Sequence, residues 1–144
     1  MLLAECERGF IATHQTHKGN PSDATLLVGA VNQVIAVTGR PPGTVVGDRG
    51  FGTAANDAAL AELGVARIGL ARTGTPGKAR RAWEQTRAFR RMRNWRVGIE
   101  ARSSQLKRSF GLRRTRLRRL DGAKTWVGLG IFAYNLQRMT VVTR

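Results

Sequence analysis

The stretch "TVVGDRGFGTAANDAALAELGVARIGL", residues 44–70, decides the fold. Thr44, Val45 and Val46 form a short apolar run that reads as a buried strand. Thr53 to Leu63 reads as a helix closed by Gly64, and Val65 to Leu70 returns as a second strand. Between the first strand and the helix, "GDRGFG" (residues 47–52) puts one carboxylate, Asp48, just past a strand end. A carboxylate there, beside an arginine and among glycines, needs a reason in a chain this basic.

Upstream, Leu2 to Cys6 and Phe10 to Thr16 flank the turn pair Arg8-Gly9, which predicts a β-hairpin. Ser22 or Asp23 then caps a helix in which Leu26, Leu27, Ala30, Val31, Val34 and Val37 recur at helical spacing, and Gly39, Pro41 and Pro42 end it. Downstream, "RTGTPGK" (residues 72–78) is a loop, after which helical residues dominate. Asp121 is the natural cap of the last helix, whose Trp126, Leu129, Phe132, Ala133 and Leu136 are expected to pack back on the sheet. The alternation predicts an α/β fold in which one mixed sheet is covered by helices.

The chain has 144 residues, 42% of them apolar, a length and composition that fit one folded domain. Its net charge of +16 is unevenly spread. Residues 1–77 carry six basic and six acidic groups, residues 78–119 sixteen and two, and residues 120–144 three and one. A neutral sheet core is thus followed by a cationic segment suited to a polyanion, and then by a C-terminal packing helix. Nucleic acid is the expected partner, since no lipid-facing segment accompanies the charge. Cys6 is the only cysteine, which excludes an internal disulfide and a cysteine-based zinc cluster. No signal peptide or spanning segment is visible, which predicts a soluble cytoplasmic protein.

Three look-alikes carry no chemistry. "RTGTPGKA" has Arg72 where a P-loop needs its first glycine and Ala79 where it needs serine or threonine. "GLGIFA" (residues 128–133) resembles a dinucleotide fingerprint but lies inside a helical pattern with no strand before it. His14 and His17 lack further ligands nearby, so a structural role is favoured over metal binding.

"RNWRVGIEARSSQLKRSF", residues 93–110, carries more. On a single helix at about 100° per residue, Arg93, Arg96, Glu100 and Lys107 share one stripe, bordered by Met92, Trp95, Ile99, Leu106 and Phe110. Glu100 is one of two acids in the cationic segment, and it serves either as an ion-pair partner of Arg96 or as a metal ligand. Taken with Asp48, it suggests carboxylates from different elements that hold metal ions over a phosphate.

At these residues the sequence resembles the DDE transposases of bacterial insertion sequences, whose catalytic domain is ribonuclease H-like. "GDRGFGTAAND" is similar to that family's second-aspartate motif, and "HKGNPSDATLL" to the stretch leading from its hairpin into a helix. Arg96, Glu100 and Lys107 keep the spacing of its C-terminal signature, with Arg93 in the tyrosine position. "LRRLDGAKTWVGLGIFAYNLQRM" looks like the tail that follows.

The resemblance implies Asp48 and Glu100 as catalytic metal ligands for Mg²⁺ or Mn²⁺. It also implies Arg93, Arg96, Arg102, Lys107 and Arg108 as contacts to DNA, both transposon ends and target. The family's first aspartate has no counterpart here, since no aspartate precedes Asp23, and Glu5 and Glu7 are not promoted to that role. An N-terminally truncated ribonuclease H-like domain over residues 1–144, inactive alone, is therefore expected. The alternatives are a non-catalytic nucleic-acid-binding protein or a regulator that pairs with a full-length transposase. An exposed sheet edge makes homodimerisation a further expectation.

Overall fold

In the computed structural model, which describes residues 1–142, the elements in chain order begin with β1 (Leu2–Glu5), β2 (Ile11–Gln15), α1 (Asp23–Thr38), β3 (Thr44–Gly47) and α2 (Ala54–Glu62). They continue with β4 (Arg67–Leu70), α3 (Lys78–Glu84), α4 (Arg87–Trp95), α5 (Val97–Ser109) and α6 (Arg119–Val142). Helices and small sheets together make an α/β protein. Two compact units divide it: Pro21–Val97, and Met1–Asn20 with the chain from Gly98 onward.

The unit Pro21–Val97 is built on the strand–helix–strand stretch. β3 and β4 pair in parallel, Thr44 with Arg67 through Gly47 with Leu70. A parallel pair needs a crossover, and α2 provides it. Thr53 caps α2 by accepting the Asn56 N–H at 3.1 Å. Leu60, Leu70 and Phe89 are buried in the core with Leu27, Val31, Phe51 and Val65. Asn56, the buried polar residue, donates through Nδ2 to the Ala24 and Phe51 carbonyls at 2.9 and 2.8 Å, which ties α1 to the turn after β3.

The other unit packs the hairpin on α5 and α6. β1 and β2 are antiparallel, with Leu2 opposite Gln15, around the turn at Arg8 (φ 66) and Gly9 (φ 80). Ile11, Leu106, Val127, Ile131 and Tyr134 form the core, with Leu3, Ile99, Phe110 and Leu112 packed against it. Asn135 of α6 reads the backbone of Ile11 twice, accepting its N–H at 3.0 Å and donating to its carbonyl at 2.9 Å. The Tyr134 hydroxyl donates to the Gly9 carbonyl at 2.7 Å.

Four expectations need correction. The strands form two two-stranded sheets and not one mixed sheet, because the antiparallel hairpin and the parallel pair belong to different units. Residues 93–110 are not one helix: α4 ends at Trp95 and α5 starts at Val97, with the Arg96 N–H turned to the Arg93 carbonyl at 3.2 Å. Val97 and Gly98, weak helix formers, follow the break. The inward face of α6 is Val127, Gly130, Ile131 and Tyr134, while Leu129, Phe132 and Leu136 are exposed. The bonds of Tyr134 and Asn135 to the hairpin fix that rotation, since neither could be left unmade in a buried setting without cost. Asp121 lies in the first turn of α6 and is not its cap. Among the described residues, no helix is long and apolar enough to cross a membrane.

Candidate active site

Asp48 follows the last residue of β3, at the carboxyl end of a parallel pair, where α/β proteins commonly place their sites. The glycines around it are there for space. A Cβ on Gly47 would stand 2.9 Å from Leu70 Cδ2 and 3.1 Å from Phe51 Cδ2. One on Gly52 would stand 1.8 Å from the Ala71 carbonyl oxygen, a backbone atom that cannot step aside. The chain thus leaves the strand in a short 3-10 turn, Arg49–Phe51, that buries Phe51 and leaves Asp48 pointing outward.

The Asp48 side chain is 65% exposed. Its Oδ1 accepts the Arg49 N–H at 2.6 Å, and its Oδ2 lies 3.7 Å from Arg96 Nη1. Asp48 and Arg96 were singled out from separate motifs, and the fold brings them together within one unit. An ion pair this exposed contributes about 0–1 kcal/mol, so stability alone gives little reason for it.

The remaining predicted residues are distributed as follows. Arg93 is exposed in the last turn of α4. Glu100 is exposed in the first turn of α5, and Lys107 and Arg108 are exposed in its last turn. Since α4 and α5 are separate helices, Arg93 does not share a helix face with Glu100 and Lys107. Glu100 falls in the unit that begins at Gly98, Asp48 in the unit that ends at Val97. Arg102 is turned into its own unit, its Nε 3.6 Å from Glu5 Oε1. Burial raises the Glu5 carboxyl above its ordinary range, against the lowering effect of Arg102 and Arg138.

A second group of charges was not anticipated. Asp57 Oδ2 accepts from Arg72 Nη2 at 2.9 Å and from Arg80 Nη1 at 2.8 Å. Glu84 Oε1 accepts from Arg80 Nε at 3.0 Å and from the Arg72 N–H at 2.9 Å, and Arg80 also donates to the Leu70 carbonyl. Burial pushes the Glu84 carboxyl up, but the Arg72 N–H and the Arg80 guanidinium outweigh it and hold the group below its ordinary value. The spacing of Arg80 and Glu84, four apart on α3, was a visible signal. Asp57 gave none.

Asp48 offers hard oxygen donors of the kind Mg²⁺ takes, and it is open to solvent. Among the described residues, no three His, Cys, Asp or Glu side chains gather where they could hold a metal ion. The donor type therefore fits a divalent cation.

A family model described as the transposase DDE domain matches residues 5–136, nearly the whole chain. No curated protein and no solved structure matches the sequence.

Proposed function

The chain belongs to the transposase DDE domain family, and we propose that it carries the second and third acidic residues of an insertion-sequence transposase, Asp48 and Glu100, on a ribonuclease H-like framework. The family acts in transposition and generally uses divalent metal ions. Asp48 and Glu100 would hold Mg²⁺ or Mn²⁺, which when bound favours attack on a phosphodiester by water or a 3′-hydroxyl and eases departure of the leaving oxygen. The observation that carries the reading is the exposed Asp48 carboxylate at a strand end with Arg96 beside it.

In this reading Arg96 stands beside Asp48 Oδ2 and orders the site where a DNA phosphate would lie. Arg93, Lys107 and Arg108 contact the backbone as exposed cations. Arg102, already turned to Glu5, contributes least to DNA contact. Both transposon ends and target DNA are substrates of the intact enzyme.

The 144-residue chain alone binds DNA without cutting it. Two carboxylates leave a metal pair under-liganded, and Mg²⁺ demands near-ideal coordination. The test is a nicking assay on supercoiled DNA with Mg²⁺ alongside a binding assay across a salt series. Binding that weakens steeply with salt, and no cutting, is expected. Robust cutting abolished by Glu100→Gln would overturn the non-cutting form, and absence of DNA binding would overturn the assignment itself.

A further inference from the structure

The loop between α5 and α6 borders an open cleft of about 660 Å³ lined by Gly111, Arg113, Arg114, Thr115, Arg116 and Trp126, all in one unit. None of these residues entered the site described above.

The loop is tied to both α5 and α6. The Trp126 Nε1–H donates to the Gly111 carbonyl at 2.9 Å, and the Leu112 N–H donates to the Leu106 carbonyl at 3.2 Å. Gly111 has φ 73, and a Cβ there would stand 3.4 Å from the indole, so loop and ring are in close contact. On the helix, a Cβ at Gly130 would stand 2.9 Å from the Phe110 carbonyl oxygen, and one at Gly122 would stand 2.9 Å from Leu117 Cβ. Gly122 and Gly130 thus make room for the loop, while Gly128 faces His14. Thr115 Oγ1 closes the loop on itself, accepting the Leu117 N–H at 3.1 Å.

Onto this support the sequence places Arg113, Arg114 and Arg116, all exposed. Among the described residues none of the three has an acidic group within ion-pair distance. No acid occurs between Glu100 and Asp121. Free guanidinium groups around a concave space with an indole in its wall suit a ligand that is both anionic and flat. A cleft of this volume is within the ordinary small-molecule range of about 300–1,000 Å³. A phosphate alone would leave most of it empty.

We infer that this cleft takes one unpaired nucleotide of a DNA strand, its phosphates held by Arg113, Arg114 and Arg116 and its base set against Trp126. The inference rests on the DNA-binding reading given above and deepens it, separating a single-strand contact from the backbone contacts of α4 and α5. Base stacking tolerates any sequence, since every base has a π face, so the pocket reads strandedness and not sequence.

The test uses the full chain and fluorescence anisotropy, with a blunt duplex and the same duplex bearing a short single-stranded tail. The wild type is expected to bind the tailed DNA roughly tenfold more tightly, a factor within the range of one stacked base. Trp126→Leu and the surface triple variant Arg113→Gln, Arg114→Gln, Arg116→Gln should each bring the ratio of tailed to blunt affinity to about one, with Trp126→Leu leaving blunt-duplex binding within a few-fold. Trp126→Phe, which keeps an aromatic face but loses the bond to Gly111, should retain most of it. Equal wild-type affinity for both DNAs, or a preference that survives the triple variant, would overturn the pocket while leaving DNA binding intact. Equal loss in Trp126→Phe and Trp126→Leu would reduce Trp126 to a loop anchor and overturn stacking. Binding to neither DNA would overturn this inference together with the reading it rests on.

Discussion

Within the unit Pro21–Val97, arginine meets carboxylate in two ways. Around Asp57 and Glu84, two arginines make ion pairs of 2.8 to 3.0 Å with side chains only about a fifth exposed, and further bonds reach the Arg72 N–H and the Leu70 carbonyl. At Asp48, one arginine stands 3.7 Å from a carboxylate that is mostly in solvent. The residue types are the same, and the difference is the number of bonds each charge makes and how far water is excluded. A charge that makes several short bonds with water largely excluded holds elements together, here α2, α3 and the end of β4. A charge with spare lone pairs in solvent remains available to a ligand. In a basic protein, counting arginine–carboxylate pairs therefore says less than asking how many bonds each carboxylate makes and how far water is kept from it.

The comparison breaks first if the turn that presents Asp48 is itself dispensable. Gly52→Ala puts a methyl group 1.8 Å from a backbone oxygen, so strand end and loop must part. Urea unfolding should show a loss of about 3 kcal/mol or more, at or beyond the usual upper end for overpacking. A loss under about 1 kcal/mol would mean that the turn relaxes freely and does not fix Asp48.

Next in size is Arg80→Ala, which leaves Asp57 with Arg72 alone and strips Glu84 of its guanidinium. Breaking a fully buried pair costs about 3–5 kcal/mol, and with these side chains about a fifth exposed the expected loss is roughly 2–3 kcal/mol. Arg96→Ala should cost under about 1 kcal/mol. Similar losses for the two variants would remove the contrast between the groupings.

Acid separates two glutamates in the same spirit. Glu84 is held below the ordinary 4.5, so its contribution is present above that pH and is lost as pH falls through its folded value. Glu5 is raised above 4.5 by burial, so its contribution is present at low pH and is lost as pH rises through its folded value. Glu84→Gln should therefore flatten the fall in urea midpoint between pH 6 and pH 3, and Glu5→Gln should steepen the fall in the window just above 4.5. The reverse pattern would mean that Glu84 lacks, or Glu5 has, net stabilisation of its charged form.

Much of this was legible in the sequence because it is local. The alternation of apolar runs with Gly47, Gly64 and the cap Thr53 gave the strand–helix–strand stretch with ends shifted by a residue or two. The spacing from Arg96 to Glu100 to Lys107 needed only the chain itself. What was missed depends on partners distant in sequence. The rotation of α6 is set by Asn135 and Tyr134 bonding to Ile11 and Gly9, more than a hundred residues away, and its apolar pattern alone pointed to the wrong face. The break at Arg96 leaves the backbone of Arg96 helical (φ −57, ψ −30), so only the poor helix propensity of Val97 and Gly98 hinted at it. Asp57 carried no signal because both its arginines come from beyond β4. The pairing of Asp48 with Arg96 was likewise beyond any local pattern.

The smallest expected effect is also the most informative. Asp48→Asn keeps an oxygen to accept the Arg49 N–H and removes only the charge facing Arg96. Because that pair is exposed, stability in the absence of metal should change by no more than about 0.5 kcal/mol. Wild-type protein titrated with Mn²⁺ should show a Tm that climbs with metal concentration, as binding to the folded state requires, and the climb should vanish in Asp48→Asn combined with Glu100→Gln. A fold that is untouched while its response to metal is lost marks a carboxylate kept for a ligand. A loss above about 1.5 kcal/mol without metal would instead place Asp48 with Asp57 and Glu84 among the charges that hold the fold together.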